Sequence, residues 1–264
     1  LLRERLRIGL GSNWLTVAGY RRSLRSKPIR REVIPVEPSS AAASWQAAVD
    51  ALPAALARAG KAEVTVVLSN HFVRYALLPW TPHVKARDEW MALARHRLAA
   101  AHGATVDDWS IRISETASRG PRIASAVDKA LLAAITQRVG ASRAVLVSVQ
   151  PYLMAAFNRI RHLIGGESCW LVVEEPGRLT LALIECGLWS AIRTRRKDDG
   201  WRDALPEILE RESAMLALTE PCAQAVIHTH VPFETSTLGK LRLRDVTLAA
   251  GATPADRQLA MALG

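Results

Sequence analysis

Leu6, Ile8 and Leu10 alternate with Arg5, Arg7 and Gly9, the two-residue period of a strand with one apolar face and one basic face. A Gly11-Ser12-Asn13 turn leads into a second apolar stretch ending at Tyr20, and Arg31 to Val36 reads as a third strand, ended by Pro38. The Ala-rich segment Ala41 to Ala59 has helix-forming composition, with Ser39 or Ser40 to cap it and Gly60 to stop it. Val64 to Ser69 then reads as a buried strand. The first unit is therefore predicted as β-β-β-α-β.

Phe72 to Trp80 predicts a further strand closed by Pro79 and Pro82, and Ala86 to Ala101 a helix with Trp90, Leu93, Ala94, Arg97 and Leu98 at roughly helical spacing. Ser110 to Ser114 and Arg122 to Asp128 alternate across a Gly-Pro turn, a hairpin pattern. A helix over Lys129 to Val139 and a buried strand over Ala144 to Val149 follow, and Pro151 suits the first turn of a helix over Tyr152 to Ile164. Gly165 and Gly166 give the clearest boundary in the chain. Beyond them Cys169 to Arg196 reads strand, turn, strand, turn, strand. A helix over Trp201 to Leu218, a strand at Ala225 to His228, a weaker one near Leu241 to Leu243 and a closing helix from Asp256 complete a second copy of the same plan. The fold class is thus α/β, two similar lobes with mixed sheets and a cleft between them. Residues 1–165 form the first lobe, with a small inserted subdomain at 72–128, and 166–264 the second.

At 264 residues and 49% hydrophobic content the chain buries a substantial core. Three cysteines, Cys169, Cys186 and Cys222, are too few and too scattered for a disulfide framework or a CxxC metal site, so they read as small hydrophobes in a reducing compartment. No run approaches the apolar length that crosses a bilayer, and charge at Arg3 leaves no room for a signal-peptide core. A soluble, cytoplasmic protein is expected; a membrane segment beyond Gly264 stays open. The net charge of +10 is local. Residues 1–31 hold nine basic groups (Arg3, Arg5, Arg7, Arg21, Arg22, Arg25, Lys27, Arg30, Arg31) against Glu4 alone, while the rest of the chain nearly balances. Such a face suits nucleic acid, anionic lipid, an acidic partner or plain solvent.

Several familiar chemistries lack their residues. Gly9 to Trp14 has no third glycine and leads into a strand, so it is no dinucleotide fingerprint, and neither GxxxxGK[ST] nor GxSxG occurs. His228 and His230 would share one face of a strand and start a metal site, but nothing in the spacing of the other histidines selects a third ligand. The pairs Asp107-Asp108, Glu174-Glu175 and Asp198-Asp199, and the run Arg193 to Lys197, read as solvated turns. Trp80, Trp90 and Trp109 stand near Arg74, Lys85 and Arg87, a spacing shared by core tryptophans, a partner surface and a stacking platform for nucleic acid.

Three segments carry a resemblance: Ile8 to Val17, Leu146 to Ile160, and Leu171 to Ser190. Together they resemble the actin-like ATPase superfamily (a duplicated, ribonuclease H-like fold), in particular its bacterial branch of PilM pilus-assembly proteins and GspL secretion-protein cytoplasmic domains. That family's two phosphate loops read Asp-x-Gly-Ser/Thr, the glycine admitting a phosphate to backbone N–H groups and the aspartate positioning magnesium. The resemblance makes Gly11, Ser12 and Asn13 a first vestigial phosphate loop, and Glu174 and Gly177 part of a second. Gly9 stands where the first aspartate belongs and Thr16 where a lysine often follows. In the second loop Glu174 replaces the aspartate and Pro176, which has no N–H, the glycine. The strand that usually ends in Gly-Gly beside adenosine reads Val226 to His230. These departures imply that no cofactor is used and that no residue is catalytic, with an ATP- and magnesium-binding protein as the alternative.

The resemblance further implies a non-catalytic adaptor beneath a type IV pilus or type II secretion inner-membrane platform. Its partner would be a cytoplasmic segment of a membrane protein, held in the groove between the lobes. The basic N-terminal face would add peripheral contact with anionic membrane. A nucleic-acid-binding module using residues 1–31 and the Trp-rich middle is the alternative from another class.

Overall fold

The alternation at the start of the chain forms strand β1 (Arg5–Leu10), which pairs antiparallel with β2 (Trp14–Tyr20), Ile8 opposite Val17. The computed structural model describes residues 4–20, 28–37, 43–114, 119–162, 164, 166–218, 222–229, 237–246 and 260–263. Strand β3 (Arg30–Pro35) continues the meander, and the chain crosses through α1 (Gln46–Asp50) and α2 (Leu52–Leu56) to β4 (Glu63–Leu68), parallel to β1. The single helix expected over 41–59 is two helices because Pro53 has no N–H to return to Val49, and the ladder restarts after Ala51. The proposed caps, Ser39 and Ser40, lie outside the described residues.

Between β4 and the last strand of this sheet the chain builds a smaller layer. It consists of β5 (Val73–Leu78), α3 (Arg87–His102), β6 (Trp109–Ile113) and β7 (Arg122–Asp128), with the three strands in the order β5-β7-β6. Asp128 then caps α4 (Lys129–Gly140), its Oδ1 accepting from the Ala130 N–H at 2.7 Å, and β8 (Val145–Pro151) closes the first sheet in the order β3-β2-β1-β4-β8. Helix α5 (Tyr152–Ile160) follows Pro151 directly.

The second sheet repeats the plan. Strands β9 (Cys169–Glu175), β10 (Arg178–Glu185) and β11 (Leu188–Arg196) form the meander, α6 (Leu205–Met215) crosses, and β12 (Gln224–His228) returns parallel to β9. A short β13 (Thr237–Leu238) and β14 (Leu241–Asp245) complete the order β11-β10-β9-β12-β14-β13. Helix α7 (Ala260–Leu263) packs back on β1 and β2; Asp256, the expected start of that helix, lies outside the described residues.

Every residue of β9 is buried, because both faces of this sheet are covered. Leu171 and Val173 pack with Val67 of the first sheet and with α5, whereas Trp170 and Val172 pack on Leu205, Ile208 and Leu209 of α6. Where the two sheets meet, the described residues form a shared apolar core joining Val67, Leu153, Ala156, Leu171, Val226 and Met261. One cysteine also departs from expectation. Cys169 is buried and Cys222 half-buried, but Cys186 is exposed at the β10–β11 turn, where φ is +50° and Gly187 follows at +76°, the two left-handed positions of a type I′ hairpin.

Candidate functional site

Strands β1 and β9 occupy equivalent central places in their sheets, and the end of β9 reaches, through Glu175, the end of β4 beside Leu10 of β1. The first turn holds Gly11, Ser12 and Asn13. Two of its backbone groups are held by neighbouring segments: Gly11 N–H donates to Trp14 O at 3.0 Å, and Asn13 O accepts from Val36 N–H at 2.9 Å. Ser12 Oγ reaches only the neighbouring Asn13 Oδ1, at 3.4 Å. Gly11 is required here, since a Cβ would lie 2.8 Å from Trp14 O.

Gly9, at the position the resemblance gives to an aspartate, has no space for any side chain. An added Cβ would stand 2.3 Å from Thr16 Oγ1 and 2.9 Å from Met261 Cβ and Cγ. The C-terminal helix α7 thus covers the first strand with an apolar side chain that is itself only 5% exposed.

The second turn is Pro176-Gly177, with Gly177 at φ +70°, the left-handed position of a type II turn. Gly177 O accepts from Lys197 N–H at 3.1 Å. The two carboxylates before the turn are buried, not solvated as the sequence suggested. Glu174 accepts from Lys197 Nζ at 2.5 Å and from Thr229 Oγ1 at 2.8 Å, within its own lobe. Glu175 crosses to the first sheet. It accepts from Ser69 Oγ, and from the Asn70 N–H at 3.1 Å, at the end of β4. Burial pushes its carboxyl up to about 7, against the donors on Ser69 and Asn70 and the charge of Arg178, which pull it down.

Asn70 is the hub of this joint. Its Oδ1 accepts from Tyr75 OH at 2.6 Å and from Leu153 N–H at 3.2 Å, and its carbonyl from Arg178 at 3.4 Å. His71 Nε2 meets Pro176 O at 2.9 Å, and burial lowers the pKa of that imidazole. Burial, then the nearby Glu175 carboxylate, raises the Tyr75 and Tyr152 phenols well above their usual range. Sequence reasoning missed Ser69 and Asn70. The signal was a polar pair ending an otherwise apolar buried strand.

A magnesium nucleotide does not fit these residues. The first loop's acid position is sterically filled, Glu174 is held by Lys197 and Thr229, Glu175 is held by Ser69 and Asn70, and Pro176 offers no donor. Among the described residues no three His, Cys, Asp or Glu side chains come together to hold a metal. His228 is buried and meets Tyr152 OH through Nδ1 at 3.0 Å, an interior prop for α5, while its proposed partner His230 lies outside the described residues. Of the basic N-terminal face, Arg5 pairs with Glu63 at 3.4 Å and Arg30 with Glu32 at 2.7 Å, and Arg7 is half-buried. Arg3, Arg21, Arg22, Arg25 and Lys27 lie outside the described residues. Trp90 is core, Trp109 half-buried and Trp80 exposed. No described helix is long and apolar enough to cross a membrane.

A separate groove of about 460 Å³ lies between the small layer and the first sheet. Ser110 and Arg112 of β6 and Ser125 and Val127 of β7 form one wall; Leu132, Val149 and Met154 form the other. Strand β6 ends the third sheet and β8 ends the first, so two strand edges unpaired among the described residues border it. On β8 two apolar side chains, Val145 and Val147, stand 53% and 61% exposed.

No family model matches the chain, and no curated protein does. Solved structures do. A Bacteroides thetaiotaomicron protein with actin-like ATPase fold and unknown function superposes with a TM-score of 0.65 at 9% identity, covering 97% of this chain and 95% of that one. The cytoplasmic domain of EpsL, an inner membrane component of the type II secretion system of Vibrio cholerae, gives 0.60 at 12% identity, covering 97% and 92%. A chain of the PilM–PilN type IV pilus biogenesis complex gives 0.59 at 12% identity, covering 86% and 81%. The duplicated sheet order and these superpositions together show that the chain has the actin-like ATPase fold.

Proposed function

We propose that this protein is a non-catalytic adaptor of a bacterial type IV pilus or type II secretion inner-membrane platform, and that it binds a cytoplasmic segment of a membrane partner. The observation that carries the reading is the groove bordered by β6 and β8. Two strand edges unpaired among the described residues offer backbone hydrogen bonds to an extended peptide, and Val127, Leu132, Val149 and Met154 offer apolar contact. The place first expected for the partner, between the lobes, has the apolar core of Val67, Leu171 and Met261 at its base. Support from outside the chain comes from the fold it shares with EpsL, an inner membrane component, and with the PilM–PilN complex. Division into lobes 1–165 and 166–264, with 72–128 inserted, and a place at the cytoplasmic side of the inner membrane belong to the same reading.

Photo-crosslinking amino acids at Ser125 and Val147, in cells that carry the gene, test it. Adducts that map to a cytoplasmic stretch of one membrane protein are expected. Adducts confined to nucleic acid, or none at either site, overturn it. The loss of nucleotide use is tested separately, by titration calorimetry with ATP. No magnesium-dependent heat is expected at micromolar ligand; a micromolar affinity that vanishes without magnesium refutes the pseudo-ATPase part of the reading.

A further inference from the structure

Arg112 and Ile113 line the rim that the groove shares with a second cavity, of about 470 Å³. That cavity opens between the first turn of α3 and the β6–β7 hairpin, and Lys85, Arg87, Arg112 and Arg122 surround its Trp90 and Met91. Every charged residue in the lining is a cation. Among the described residues none of the four has a carboxylate within ion-pair distance. Of the two acids of that turn, Asp88 lies outside the lining, and Glu89 folds back to accept the N–H groups of Lys85 and Ala86 at 2.7 and 2.9 Å.

Fold stability does not account for this cluster. Lys85 and Arg87 stand at the N-terminus of α3, where the helix dipole disfavours positive charge, and four cations around one cavity repel one another. Arg122 is the fixed element. Its guanidinium carbon lies 4.5 Å from the centroid of the Trp90 ring, and its Nε is buried without a hydrogen-bond partner. Lys85, Arg87 and Arg112 are exposed, with heads that can turn toward a ligand.

We propose that the groove's occupant is a peptide with an aspartate or glutamate at one end of its apolar stretch, and that Lys85, Arg87, Arg112 and Arg122 receive this carboxylate. The inference rests on the adaptor reading and adds the chemistry of the partner. Two observations favour a peptide. The outer edge of β6 presents backbone donors and acceptors between the two cavities, and another backbone is their natural complement. Arg112 borders both cavities, so the apolar part and the acid belong to one linear molecule. The planar fork of arginine also matches a carboxylate with two parallel hydrogen bonds.

The test pans a phage library of random dodecapeptides on the intact chain and on the triple variant K85Q/R87Q/R112Q, whose three positions are exposed and leave the Trp90–Arg122 contact in place. The native chain is expected to enrich apolar peptides with a terminal-side Asp or Glu, and the variant the same apolar pattern without the acid. A recovered peptide, made with its acid changed to the amide, loses about tenfold in affinity, and the triple variant shows a similar loss that does not add to it. Apolar peptides with no acidic preference on either protein overturn the proposal and leave the groove reading intact. No enriched peptide on the native chain overturns both. A parallel arm uses phosphatidylglycerol/phosphatidylcholine vesicles: binding that the variant abolishes, without an acidic preference among peptides, assigns the pocket to lipid and overturns the proposal.

Discussion

Replacing Gly9 by aspartate, the residue the fold's ATP-binding members carry at that place, is expected to destabilise the protein by roughly 3 kcal/mol or more, a large share of a typical domain's total. The first added atom already lies 2.3 Å from Thr16 Oγ1 and 2.9 Å from Met261, both buried, so the strand or the C-terminal helix must move. A charge buried beside the Met261 side chain adds a desolvation cost that alanine would not. The order of urea midpoints should therefore be native, then G9A, then G9D. Combining G9A with Met261→Ala should cost less than the sum of the two single changes, because the shortened side chain vacates the space the new Cβ enters. Equal midpoints for G9D and the native chain would show that α7 does not hold this position.

The second large effect is a dependence on pH centred on Glu175. Its folded-state pKa is raised from 4.5 to about 7, so between those values the folded chain binds more protons than the unfolded chain. Stability therefore falls as pH rises through this window. The penalty is absent below about 4.5, complete above about 7, and on the order of 3 kcal/mol. His71, whose pKa burial lowers, works at the other limb: the folded chain resists its protonation, so stability drops as pH falls below about 6.5. Glu175→Gln keeps an acceptor for Asn70 and should flatten the alkaline limb, leaving a protein more stable than native at pH 8 by chemical denaturation. An unchanged slope in that variant would place the carboxylate's titration elsewhere.

Apolar pattern and punctuation carried most of the fold. Strands β1, β4 and β12 each sit within a residue or two of their sequence prediction, because a short run of alternating or continuous apolar residues closed by a polar or turn residue is a local signal. The split at Ala51 was harder to see, since an Ala-rich segment favours helix strongly enough to mask one Pro53. At the joint between the lobes the limits are of another kind. The missing first-loop acid was visible at Gly9, but its replacement by Met261, far along the chain, was not. Glu174 and Glu175 resemble solvated turn residues in sequence, and only the long-range partners Lys197, Thr229, Ser69 and Asn70 reveal them as buried. Likewise, Lys85 before α3, Arg87 in it, Arg112 of β6 and Arg122 of β7 are far apart in sequence, and only folding gathers them around Trp90.

The return of helix α7 to β1 imposes an order on assembly. Strand β1 emerges early in synthesis, yet the face beside Gly9 stays bare until residue 261 has been made, so the amino-terminal sheet cannot reach its final packing during translation. A ribosome-bound nascent chain halted before that helix should show the sheet formed but readily opened by protease, with protection arriving only once the tail has been released.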